Sequence, residues 1–270
     1  MERLTVIKVG GKVVEGEESL NSLLDCFARL DGAKALVHGG GRSATKVAAQ
    51  LGIESQMIGG RRVTDAEMLN VVTMVYGGLV NKNIVAQLQA RGINALGLTG
   101  ADIDALRSHR RPPVTVSAAV AGTAEDTVVD YGFVGDVDRC NGALLSRLIQ
   151  EDIVPVMAPL THDGEGHLLN TNADTIAAET AKGLAPYYDV TLVYCFEHAG
   201  VLRNPEDESS VISLITPTEF KTLVETGVVD GGMIPKIENA LSACRAGVSR
   251  VLITCTANIG VPGTGTEIRL

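Results

Sequence analysis

Short apolar runs alternate with amphipathic helical patterns along most of this chain, and that alternation limits the fold more than any other feature. Val6, Ile7 and Val9 read as a buried strand, and Lys34–Val37, Asn94–Leu98, Ile153–Met157, Val190–Tyr194 and Arg250–Cys255 as further strands. Between them lie helical stretches such as Glu17–Leu30, with Leu20, Leu23, Leu24 and Phe27 on one face, and Ser43–Leu51. Repeated β-α units with short connections predict an α/β fold, a three-layer α/β/α sandwich around a mostly parallel sheet. In such sheets ligands bind beyond the carboxyl ends of the strands. A length of 270 residues supports one large domain or two lobes with a substantial core. Around Ala185-Pro186-Tyr187 the pattern divides into a first lobe, 1–185, and a second, 186–270.

Other segments modulate this plan. Gln56–Thr64 reads as a short hairpin carrying Arg61 and Arg62. Asp65 caps a helical pattern running to about Arg91, with Met68, Leu69, Val72, Leu79 and Val85 among its apolar positions. Such a helix spans ~40 Å, so it either packs in part against a second subunit or bends within one chain. Residues 100–138 read as irregular hairpins, Arg139–Gln150 as a helix and His162–Gly166 as a hairpin turn. Asn170–Asp174 leads into a helix to Leu184, Pro217–Glu225 is helical, and Gly231-Gly232 opens a helix to Arg245.

Charge and cysteine usage narrow the function. A net charge of −9 without a basic tail argues against nucleic acid or an anionic membrane as partner. Small anionic ligands remain open, because they need only a local cationic pocket. The five cysteines include no CxxC pair and read as reduced structural thiols in a cytoplasmic protein. No apolar run approaches the ~20 residues of a membrane helix, and Lys8 breaks the one run near the start that could resemble a signal peptide.

Lys8 is the first chemical signal. A lysine inside an apolar strand either reaches the strand's end or meets an anion there, because an unpaired buried ammonium is costly. Gly10 and Gly11 follow it, and His38-Gly39-Gly40-Gly41 follows the second strand. Neither segment has Walker A or GxGxxG spacing, yet neighbouring strand ends can bring two glycine turns to one phosphate. Asn170, Asn172 and Asp174 alternate with small residues, so an extended chain would face all three one way; helix capping by Asn172 or Asp174 is the plainer alternative. Lys236 lies on an otherwise apolar helical stretch, either against a carboxylate or snorkelling to the surface. Arg62, beside Arg61, suits a bidentate carboxylate clamp or simple solvation. His38 reads as a structural histidine at a strand end, and the remaining histidines lie in or near turns.

Together these segments resemble the amino acid kinase family: IKVGG at Ile7–Gly11, HGGG at His38–Gly41, RVT at Arg62–Thr64, NTNAD at Asn170–Asp174 and GMIPK at Gly232–Lys236 appear in family order over nearly the whole chain. RVT with NTNAD points within the family to phosphorylation of the γ-carboxylate of N-acetyl-L-glutamate, the second step of arginine biosynthesis. The resemblance implies ATP with Mg2+ held mainly by its phosphates, and catalytic roles for Lys8, Lys236 and Asp174. It implies acceptor binding by Gly40, Gly41, Arg62, Asn170 and Asn172, and nucleotide binding by Gly10, Gly11, Glu197, Gly200, Val228 and Asp230. No dedicated metal site is implied. Two departures stand out. Phe196 replaces a small hydroxyl residue and Glu197 an aspartate, and the loop Gly97–Leu106, expected to read the acyl group, is unusual. That loop makes N-succinyl-L-glutamate an alternative acceptor. Relatives inhibited by arginine carry an extra N-terminal helix; here Met1–Thr5 leads directly into the strand, so the expectation is an arginine-insensitive homodimer. The alternatives to this reading are a related carboxylate kinase of aminoadipate type and a non-catalytic nucleotide- or anion-binding regulator.

Overall fold

The computed structural model describes residues 1–122, 125–231 and 233–270. Eight strands form the main sheet: β1 (Arg3–Val9), β2 (Ala33–His38), β3 (Ala95–Leu98), β4 (Val154–Met157), β5 (Asp189–Phe196), β6 (Leu214–Ile215), β7 (Arg250–Cys255) and β8 (Thr266–Ile268). Their order is β6-β8-β7-β5-β1-β2-β4-β3, and every neighbouring pair is parallel except β7 with β8. The sheet is therefore α/β and mostly parallel, as the alternation requires. It also crosses the sequence division near residue 185, because β1 pairs with β5 from Arg3↔Asp189 to Val9↔Cys195.

Strand β1 explains the layering. Its side chains alternate, so Leu4 and Val6 enter one core while Ile7 and Val9 enter the other. On the first face pack α6 (Gly142–Gln150), α7 (Ala173–Leu184), α8 (Pro217–Glu225) and α9 (Met233–Arg245), through Leu145, Ile176, Leu223 and Ile237. On the second pack α1 (Gly11–Glu15), α2 (Glu17–Arg29), α3 (Gly41–Gln50) and the helix that begins at Ala66. In α2, Leu20, Leu23, Leu24 and Phe27 are all buried, so its apolar stripe meets the sheet as its spacing predicts.

The long helix departs from its sequence reading. Asp65 does cap it, accepting from the Met68 backbone N–H. It then runs as α4 (Ala66–Val72), a π-helical segment Thr73–Val80, and α5 (Asn81–Gln89). Wider turns rotate the following side chains relative to a regular α-helix. Val75, Tyr76 and Val80 thereby turn inward, while Leu79, expected on the apolar face, is 62% exposed and Met74 54% exposed.

Three further corrections concern the irregular middle. Arg139 and Cys140 end a strand, Gly135–Cys140, instead of starting a helix; α6 begins after Asn141, whose side chain caps it. His109 lies within the strand Leu106–Arg110, not in a turn. The loop Gly97–Leu106 sits against other structure: Asp102 accepts from Thr99, and Asp104 is held by Arg107, Arg139 and His162.

Candidate active site

The glycine turns after β1 and β2 lie against each other. Gly39 N–H donates to Val9 O at 2.9 Å, and a Cβ on Gly39 would sit 3.2 Å from Gly11 N. A Cβ on Gly11 would meet the amide nitrogens of Gly41 at 3.9 Å and Gly40 at 4.0 Å. A side chain at Gly39 would crowd the facing backbone, whereas one at Gly11 would make only ordinary contact with it. Helices α1 and α3 begin at these turns, and neither N-terminus receives a side-chain cap. Their first N–H groups therefore take no side-chain acceptor, and the two turns lie side by side, which suits an anion.

Lys8, near the end of β1, follows Leu4 and Val6 onto the α7 face. Its Nζ lies 2.7 Å from Asp174 Oδ1, an ion pair off the line of a well-directed hydrogen bond. Lys236 Nζ, from α9, lies 3.7 Å from Asp174 Oδ2. One buried carboxylate thus gathers ammonium groups from the start and the end of the sequence. Helix α7 brings Asp174 there because Asn172 caps it: Asn172 Oδ1 accepts from the N–H groups of Asp174 and Thr175 at 2.7 and 3.4 Å. The chain turns helical after Asn172, so Asp174 leaves the side that Asn170 and Asn172 share in lining one cavity. Tyr194, fully buried on β5, donates to Asp174 O at 3.3 Å. Burial first, and Asp174 next, push its phenol well above the usual tyrosine range, so it remains a donor.

A cavity of about 190 Å³ opens beside this cluster, walled by Gly40, Gly41, Arg61, Arg62, Tyr76 and Asn170 among others, with no acidic side chain in its lining. Arg62 is buried and donates to Gly41 O at 2.8 Å, Thr45 Oγ1 at 2.9 Å and the Ser55 hydroxyl. Asn170 Nδ2 donates to Thr64 Oγ1 at 2.9 Å, which joins RVT to NTNAD on one wall. Tyr76, delivered by the π-helical turn, lines the same wall, and burial raises its phenol.

A second cavity of about 490 Å³ shares Gly41 with the first and is lined by Gly10, Gly11, Lys12, Phe196, Glu197 and Lys236, among others. Glu197 pairs with Lys12 across it. The structure does not bring three expected residues to this cavity. Gly200 is buried where a Cβ would strike Thr266 Oγ1 and Val211 Cγ1, each at 2.7 Å, so it answers a packing demand. Val228 packs on the core, and Asp230 is exposed just before α9, its carbonyl accepting from Met233 N. Gly232 of GMIPK lies outside the described residues. No described residue of the loop 97–106 lines the acceptor-sized cavity.

His38 is structural. It is fully buried, with Nδ1 2.7 Å from Gly39 O and Nε2 3.1 Å from Asn81 Nδ2. These partners fix the neutral tautomer with the proton on Nδ1, and burial pulls the pKa down to about 4. What sequence reasoning missed is Phe196 as a neighbour of both lysines, with Nζ of each 5.2 Å from the ring centre. The signal was the pair Tyr194–Phe196, spaced by two on a strand and therefore on one face.

Comparison with known proteins places the chain in a family. The sequence profile described as the amino acid kinase family matches residues 3–255. The chain is 62% identical over 268 residues to a protein named acetylglutamate kinase from Phocaeicola vulgatus, covering 99% of each. It is 39% identical over 266 residues to one of that name from Methanopyrus kandleri, covering 98% of this chain and all of the other. A crystal structure of a Streptococcus mutans protein, 28% identical, superposes with a TM-score of 0.73 and 98% coverage of both chains. On sequence profile, full-length identity and fold alike, the chain belongs to the amino acid kinase family.

Proposed function

We propose that this protein transfers the γ-phosphoryl group of ATP to the γ-carboxylate of N-acetyl-L-glutamate, the reaction named for its curated relatives. The observation that carries this reading is Asp174 between the ammonium groups of Lys8 and Lys236, 2.7 and 3.7 Å away, beside two converging glycine turns. Phosphoryl transfer needs positioning and neutralisation of charge spread over the transferred oxygens. Lys8 and Lys236 supply that neutralisation from two sides, and Asp174 holds them together against their repulsion. The N–H groups of Gly11 and Gly41 meet the phosphate and the acceptor. Arg62 and Asn170 orient the acyl-glutamate from the wall of the acid-free cavity. The acceptor carboxylate is already ionised at neutral pH, so no side chain has to remove a proton, and His38 takes no part.

The nucleotide would occupy the larger cavity, against the uncapped starts of α1 and α3, which fit its phosphates. Magnesium, held by those phosphates, would supply further charge neutralisation. Residues 1–185 carry the acceptor cavity and the glycine turns that meet the nucleotide's phosphates, and 186–270 supply the rest of the nucleotide cavity through Phe196, Glu197 and Lys236, with β1 and β5 joining the two lobes. Loss of acyl-glutamate-dependent ADP release in a coupled assay would defeat this function and leave the regulator reading standing.

One observation favours a dicarboxylic acyl group such as succinyl. Arg61 lines the acceptor cavity and makes no ion pair among the described residues. Burial first, and Arg111 next, lower its pKa, with Asp136 opposing. A second carboxylate would find a cation there. Kinetics on the acetyl and succinyl acceptors distinguish the two. We also propose a homodimer, formed where Met74 and Leu79 are exposed near the edge strand β3, on which Leu96 is 38% exposed.

A further inference from the structure

The surroundings of Phe196 give it a task. It ends β5, two residues beyond Tyr194, and the two rings stack with centroids 6.3 Å apart and planes 18° from parallel. Tyr194 is itself tied to the backbone of Asp174. The Nζ atoms of Lys8 and Lys236 both lie over the Phe196 ring, each 5.2 Å from its centre. Glu197, next in the chain, is directed away to Lys12. Two ammonium groups drawn to the Asp174 carboxylate repel each other. An aromatic face carries negative charge density that attracts a cation within about 6 Å and requires no further acid. A carboxylate added at this point would also repel the incoming phosphates with a full charge, whereas an uncharged ring would do so far less.

We propose that Phe196 is a positioning residue for the phosphoryl-transfer reaction: its ring, braced by Tyr194, holds the ammonium groups of Lys8 and Lys236 in their catalytic places by cation–π attraction. The inference rests on the kinase reading. It differs from a simple apolar wall, because a wall requires shape alone while this role requires the ring's electron density.

The test separates the two. Phe196 is replaced by mono-, di- and trifluorinated phenylalanine, which keep its shape and progressively drain the ring face, and in parallel by Leu and Tyr. The expected result is a stepwise fall in kcat along the fluorinated series. Phe196→Leu should lose about tenfold in kcat, the combined scale of two modest cation–π contacts. The acyl-glutamate KM and Tm should hold, and Phe196→Tyr should restore the rate. A kcat indifferent to fluorination, or one that falls only together with Tm, overturns the proposal. If the unmodified protein shows no acyl-glutamate-dependent ADP release, the kinase reading fails separately. The contact itself is then read by NMR: the Hε resonances of Lys8 and Lys236 should be displaced by the ring in the unmodified protein and released in Phe196→Leu, and identical positions in both would overturn it.

Discussion

Asp174 sets one carboxylate against two ammonium groups, and the effect of each substitution follows from that ratio. In Lys8→Ala the carboxylate keeps Lys236, 3.7 Å away. The loss of stability should therefore stay below the 3–5 kcal/mol typical of an orphaned buried charge, at about 1–2 kcal/mol. Loss of one preorganised cation at the transferred phosphoryl should lower kcat by about 10²–10³-fold. Steady-state kinetics beside thermal melts check the contrast; a collapse in Tm matching the loss in rate would mark Lys8 as structural. His38 makes the opposite kind of prediction, on stability alone. Its folded pKa of about 4 lies below the ordinary value of 6.5. Between those two pH values the unfolded chain takes a proton that the folded chain refuses. The stability contribution is therefore full above pH 6.5 and lost as pH falls towards 4, by up to about 3 kcal/mol at 1.36 kcal/mol per unit. Denaturant unfolding at pH 7 and pH 5 should show this loss, and His38→Gln should flatten it. The pH dependence of kcat between 6 and 8 should not change in that variant.

Helix α7 joins a capping requirement to a catalytic one. Asn172 both caps the helix that presents Asp174 and lines the acceptor cavity. Asn172→Ser keeps a capping oxygen but loses the carboxamide. It should hold Tm near that of the unmodified protein while the KM for the acyl-glutamate rises about tenfold. Asn172→Ala loses the cap as well and should cost about 1 kcal/mol. If Ser restores both stability and KM, Asn172 is a cap and nothing more. The same element shows what a sequence can and cannot reveal. NTNAD announced polar residues before a helix, and the capping alternative was visible in its composition. The departure of Asp174 from the two asparagines depends on where the helix starts, and that is set by the cap itself. The π-helical segment was hidden for a related reason. Val72, Val75, Tyr76 and Leu79 satisfy a 3.6-residue period on paper, and only packing against Gly40 and the sheet selects the wider turns that carry Tyr76 inward and Leu79 outward. Gly200 looked like a nucleotide glycine because the pattern around it did. Its neighbours Val211 and Thr266 are distant in sequence, so the packing demand was invisible.

At the scale of the molecule, the parallel sheet and its two helical layers were legible because strand–helix alternation and buried runs carry that information directly. The meeting of Lys8, Asp174 and Lys236 was legible only through family order, since no local pattern relates positions so far apart. What remains exposed after folding is equally informative. The sheet ends at β3, whose outward carbonyls are met by side chains and not by a further strand: Gln89 Nε2 donates to Ala95 O at 3.1 Å. The long helix lies against β3, where Lys82 Nζ donates to Gly97 O at 2.9 Å. It presents Met74 and Leu79, 54% and 62% exposed, to the outside. Large apolar side chains exposed on one helix suit an interface, and a second copy of the chain, related by a two-fold axis, would cover those of both protomers at once. The prediction is a dimeric mass by multi-angle light scattering that Leu79→Glu shifts to the monomer at micromolar concentration. Because Leu79 is outside the core of its own protomer, the monomeric variant should keep its far-ultraviolet circular dichroism. It should also melt at a lower temperature that no longer rises with protein concentration, as mass action requires. A monomeric mass for the unmodified protein would remove the two-fold interface and leave the exposed pair unexplained.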